Sequence, residues 1–166
     1  MKRILIPVDG SATGLLAVKA VLADRSGNVE RIELLNVQPR LSRHASRYIP
    51  RRSRDGWREE RAHKALEPAR RLVESAGIAC RTHTGIGVTA QVVADTARLL
   101  GVNEIVLGAT QRGPVGRLLA NSLSSRLLAA ASVPVRVIAA APAPAFERYA
   151  APVGIGIALL AFAAQD

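Results

Sequence analysis

Apolar positions in this chain fall into short dense runs, separated by turn residues and by stretches with helical spacing. Residues 2–8, KRILIPV, read as a buried strand because ILIPV is short and almost wholly apolar. DGS breaks that run. Ser11 is placed to cap a helix whose apolar face is Leu15, Leu16, Val18, Ala20, Val21 and Leu22. SGN at 26–28 closes the unit, and RIELLNV at 31–37 is a second strand. Residues 38–56 show no clear period and carry Pro39 and Pro50, which predicts a long loop. From 57 to 76 the spacing turns helical, with Ala62, Ala65, Leu66, Ala69, Leu72 and Val73 on one side and Pro68 as a point of kink or break. Gly77 is a candidate helix end.

Residues 78–84 form a third, less apolar strand suited to a sheet edge, and 89–100 a helix ended by Gly101. EIVL at 104–107 is a short buried strand, and 118–131 is a helix. The last clear strand is 133–139, with Pro134 marking an edge or a strand start. Strands alternating with helices predict an α/β fold, a parallel sheet covered on both faces. In such sheets ligands bind at the carboxyl ends of the strands, where the strand order reverses. Two loops lead there, 7–11 after the first strand and 108–122 after the fourth.

Composition narrows this picture. The 166 residues favour one domain with a real core, at 49% hydrophobic but only 3% aromatic. Val, Ile, Leu and Ala must fill that core, and stacking platforms for single-stranded nucleic acid are scarce. The net charge of +10 is concentrated: between Arg40 and Arg58 stand seven arginines and one acid, Asp55. Such a run most often marks a solvated loop, which Trp57 would anchor to the core. With no recognised motif, nucleic acid is a disfavoured partner. Cys80 is the single cysteine, so no intrachain disulfide forms, and a reducing cytoplasm fits. His44, His63 and His83 are widely spaced, without a cysteine or carboxylate at metal-site spacing, so no metal site is expected.

Residues 141–166 differ from the rest. APAPAF is a Pro/Ala linker, and VGIGIALLAFAA is an uncharged run too short to span a bilayer. The expected division is therefore a domain at 1–140 and a linker with an apolar tail at 141–166, the tail packed on the domain or on a second subunit.

KRILIPVDGS, IELLNVQP and GVNEIVLGAT followed by GRLLANSLSSRLLAAASVPVRVI occur in an order and spacing similar to the universal stress protein family, over about 140 residues. The resemblance implies a three-layer sandwich around a five-stranded parallel sheet, Rossmann-like and related to the adenine nucleotide alpha hydrolases. It also implies a homodimer formed through the last strand. In nucleotide-binding members the fourth-strand loop reads Gly, two residues, Gly, nine residues, then Gly and Ser or Thr. Here Gly108 and Ser122 match that register, while Gln111 and Asn121 replace its two middle glycines. Asparagine tolerates a left-handed backbone. The Gln111 side chain would occupy phosphate space, though its amide can donate.

The resemblance places Pro7, Val8 and Asp9 around an adenine, with Asp9 accepting from a base or ribose donor and Val37 as an apolar wall. Gly108, Thr110, Gln111 and Asn121 would line the ribose and phosphates. Ser122, Leu123 and Ser124 open the following helix, the two serines offering hydroxyls to the phosphates or to Mg2+. The implied ligand is ATP or another adenine nucleotide, and the implied role a small stress-response regulator. Against this stands the same fold without nucleotide, acting as a dimeric interaction module for an unidentified protein. No nucleophile with an arranged base is visible, so at most a weak ATPase activity is expected.

Overall fold

The computed structural model describes residues 1–24, 28–40, 50–109 and 123–139. Nine elements follow in order: β1 (Lys2–Pro7), α1 (Ala12–Ala23), β2 (Val29–Gln38), α2 (Arg51–Ser75), β3 (Ala79–Ile86), α3 (Thr89–Leu100), β4 (Glu104–Ala109), α4 (Leu123–Ala130) and β5 (Val135–Ala139). The strands form one sheet in the order β3-β2-β1-β4-β5, every pair parallel. The expected α/β architecture is present, with β3 and β5 at the two edges.

Alternation along the strands divides the core in two. On one face Ile4, Ile6, Val8, Ile32 and Leu34 pack against Ala17, Val18 and Val21 of α1 and Leu66, Ala69 and Val73 of α2. On the other, Leu5, Leu35, Ile105 and Leu107 meet Val93, Ala94 and Ala97 of α3 and Leu127 of α4. Aliphatic residues and alanine fill both layers, as the scarcity of aromatics requires. Alanine on the helices also lets their backbones approach the sheet closely.

The largest departure from the sequence reading is α2. It begins at Arg51, in the stretch expected to be loop, and runs unbroken through Pro68 for 25 residues. Among its described residues, the buried side chains lie between Ala62 and Val73. Trp57 does not anchor anything to the core: it is 51% exposed, with the Arg61 guanidinium 5.2 Å above its ring. Hydrophobic spacing locates only the half of a helix that packs, and the earlier half has no apolar face to detect.

Candidate site at the carboxyl edge of the sheet

Because β1 lies between β2 and β4, the connections leave β1 and β4 on opposite sides of a crevice at the carboxyl edge. The two loops singled out from the sequence start on these neighbouring strands.

The β1 end is built by a tight hydrogen-bonded turn. Asp9 Oδ1 accepts from the Ser11 N–H at 2.9 Å, and Gly10 takes φ +84°, which the missing Cβ allows. Ser11 caps α1, its Oγ accepting from the Gly14 N–H at 3.3 Å. Asp9 itself stays exposed on the rim, and Pro7 is half-buried. Val8 is buried and donates its N–H to the Leu35 carbonyl at 2.8 Å.

Two buried polar residues that the sequence reading missed hold this turn from behind. Asn36 Nδ2 donates to the Val8 carbonyl at 2.7 Å, and Gln38 Nε2 donates to Asn36 Oδ1. The Gln38 carbonyl in turn accepts from the Gly87 N–H at 3.0 Å. Thus the ends of β1, β2 and β3 are tied by one polar string. The available signal was polar residues at positions 36 and 38, on the inward face of a strand otherwise filled by Ile32 and Leu34. Buried amides of this kind need partners, and here each satisfies the next.

Val37 points to the opposite face, half-buried against the α3 side of the core. The register pairs Pro7 with Leu35, so Val37 stands two positions on, level with Asp9. The structure thus places Pro7, Val8, Asp9 and Val37 around the carboxyl ends of β1 and β2, with Val8 and Val37 on opposite faces of the sheet.

Gly108 lies near the end of β4, where a Cβ would come within 1.9 Å of the Thr13 carbonyl oxygen. Glycine is required there because the first turn of α1 rests directly on β4. Thr110, Gln111, Asn121 and Ser122 lie outside the described residues. Leu123 and Ser124 open α4, Leu123 exposed and Ser124 half-buried, while Leu127 one turn on anchors the helix.

A second polar cluster sits lower in the sheet. Glu33 is buried in β2 and pairs with Arg31 Nε at 2.6 Å and His83 Nε2 at 2.7 Å. Burial alone would raise the Glu33 pKa. The His83 and Arg31 hydrogen bonds and charges outweigh it and hold the carboxyl below its usual range. Sequence spacing could not reveal this pair, since its partners stand 50 residues apart. Cys80 is held in the opposite state: burial, with Glu74 nearby, pushes its thiol up to about 11. At neutral pH it is a protonated, weakly nucleophilic side chain.

The family model for the "Universal stress protein family" matches residues 1–139. The chain belongs to the universal stress protein family. A universal stress protein of Methanocaldococcus jannaschii is 25% identical over 146 residues, covering 82% of this chain and 81% of the relative. Among solved structures, the hypothetical protein MJ0577 superposes with a TM-score of 0.69 at 22% identity, over 86% of this chain and 98% of that one. A universal stress protein family protein from Arabidopsis thaliana, with AMP bound, gives a TM-score of 0.62 at 16% identity, over 85% and 93%. As a universal stress protein, the chain places its most specific sequence features, the Asp9 turn and Gly108, on the two sides of the switch-point crevice. Among the described residues of this universal stress protein, no group of three or more His, Cys, Asp or Glu is placed to hold a metal ion. Among the same residues, no helix is long and apolar enough to cross a membrane.

Proposed function

We propose that this universal stress protein is a cytoplasmic regulatory module that binds an adenine nucleotide at the crevice between β1 and β4. The observation that carries this reading is the placement of Asp9 and Gly108 at the carboxyl ends of the neighbouring strands β1 and β4, where the strand order reverses. Asp9 supplies an exposed, turn-fixed acceptor for a base amino group or a ribose hydroxyl. Val37, half-buried, supplies apolar surface beside it, while the buried Val8 holds the turn through its backbone. The AMP held by the Arabidopsis relative gives the ligand class. The phosphates extend toward Thr110, Gln111, Asn121 and the start of α4, where Ser122 and Ser124 offer hydroxyls to them or to Mg2+, beside Leu123. Output follows if a partner distinguishes the liganded from the free state. Within the described residues β5 has a strand neighbour on one side alone, and we assign its outer edge to a homodimer contact, with residues 141–166 as a linker and tail beyond it.

The deciding experiment purifies the chain without added nucleotide, denatures it, and identifies released small molecules by mass spectrometry. Titration calorimetry with ATP and magnesium follows on the same sample, whose sedimentation should be that of a dimer. Adenine nucleotide released or bound at micromolar level supports the reading, and Asp9→Ala should weaken that binding about tenfold, the value of one hydrogen bond to a charged group. No release and no heat at millimolar ATP would reject it. The departures at Gln111 and Asn121 then favour the second reading, a family member without nucleotide that acts through protein contacts.

A further inference from the structure

The first part of α2 calls for an explanation that packing does not supply. Residues 51–61, RRSRDGWREER, are helical, yet none of those whose burial is described is buried. Ala65 lies against Gly10, at the level of the carboxyl edge of the sheet. At 1.5 Å per residue the helix therefore projects roughly 15 Å or more past that edge. The Pro50 cap makes no side-chain hydrogen bond and the first turn holds no acid. A short apolar-poor helical segment of this kind draws little stability from packing of its own.

The lower half of the same helix deals with its charges differently. Arg70 is bridged to Glu67 and Glu74, and Arg71 to Glu67, at 2.7–2.9 Å. In the projecting half, Arg58 reaches Asp55 only at 3.5 Å. Arg52 and Arg61 have no acidic partner among the described residues. Within the helix, arginines stand at 51, 54, 58 and 61, spaced by 3, 4 and 3. Residues 51–61 carry five arginines against Asp55, Glu59 and Glu60, a net charge of +2 on the arm.

We propose that residues 51–61 of α2 form a polyanion-binding arm that takes the phosphate backbone of a nucleic-acid duplex. The guanidinium groups of Arg52 and Arg61, which lack an acidic partner among the described residues, can pair with backbone phosphates. An anionic membrane fits less well, because an interfacial helix needs an apolar face and Trp57 is the sole large apolar residue on the arm. Single strands fit less well because one tryptophan, already covered by Arg61, gives no stacking platform.

The test is fluorescence anisotropy of the full-length chain with a labelled DNA duplex of mixed sequence, about 20 base pairs, and with its RNA counterpart. Salt is varied from about 50 to 200 mM, and the slope of log affinity against log salt is recorded. The triple variant Arg54→Gln, Arg58→Gln, Arg61→Gln should bind at least tenfold more weakly at about 100 mM salt and lower the slope by about 2 to 3. Arg58 and Arg61 are not buried, and circular dichroism checks that the fold is kept. A control with the same net charge, Lys2→Gln, Lys19→Gln, Arg126→Gln, should bind within about twofold of the unchanged protein. Binding of both duplexes supports the proposal, since the phosphate backbone is the shared chemistry. It is overturned if the control loses as much as the arm variant, or if no duplex binds at about 50 mM salt. It is equally overturned if a single strand is preferred, or if the arm variant loses only its binding to vesicles containing phosphatidylglycerol.

Discussion

At single positions, the site depends on what a side chain would strike as much as on what it touches. Gly108 looks on the sequence like a residue kept small for a phosphate, but its Cβ direction points into the Thr13 carbonyl. Gly108→Ala must push α1 away from β4. We expect a loss of about 1–3 kcal/mol in chemical denaturation, the usual range for overpacking, with or without nucleotide present. A stability equal to that of the unchanged protein would mean that the helix and strand are less tightly apposed than 1.9 Å implies. Asp9 was legible as a turn residue because Asp-Gly-Ser has its own local chemistry. Asn36 and Gln38 were not, because their partners, the Val8 carbonyl and each other, come together only when β1 and β2 pair.

Among the elements, α2 shows where periodicity stops being informative. Its packed half was read correctly from alanines and leucines at helical spacing. Its first six residues, 51–56, fall in the stretch expected to be loop, because without an apolar face helix and loop look alike on the sequence. Gly56 sits among them with open space around its Cβ position. Gly56→Ala should therefore strengthen the arm helix by up to about 1 kcal/mol through helix propensity. Since the arm contributes nothing to the core, this gain should appear as slower amide exchange in residues 51–61, with little change in global unfolding. Slower exchange spread evenly through the core would instead mean that the arm and body unfold as one unit. The α4 helix illustrates the converse limit. Expected at 118–131, it is described as Leu123–Ala130, and residues 110–122 lie outside the described set.

Across the full chain, long-range ion pairs bind elements that are distant in sequence. Arg136 of β5 meets Asp24 after α1 and Glu104 of β4, both at 2.9 Å, and the Arg31–Glu33–His83 cluster ties β2 to the edge strand β3. The folded-state pKa of Glu33 is lowered, so its ionised form stabilises the fold at pH above the ordinary carboxyl value of about 4.3. That contribution is lost as pH falls below this value and through the lowered folded one. Glu33→Gln should remove part of the acid-side slope of stability, as read by urea unfolding across pH. An identical acid slope in the variant would show that Glu33 is not a titrating contributor.

Local order was carried by the chain's own pattern. Apolar runs of strand length, helical spacing between them and the Asp-Gly-Ser turn specify alternating elements, and alternation implies a parallel sheet with helices on both sides. These signals act within a few residues of each other, so a linear reading reaches them. The order β3-β2-β1-β4-β5, the pairing that buries Glu33 beside His83, the polar string behind Val8 and the distance α2 projects past the sheet are of another kind. Each depends on which distant segments meet, and that is settled by burial on two faces of one sheet at once, not by the neighbours of any residue along the chain.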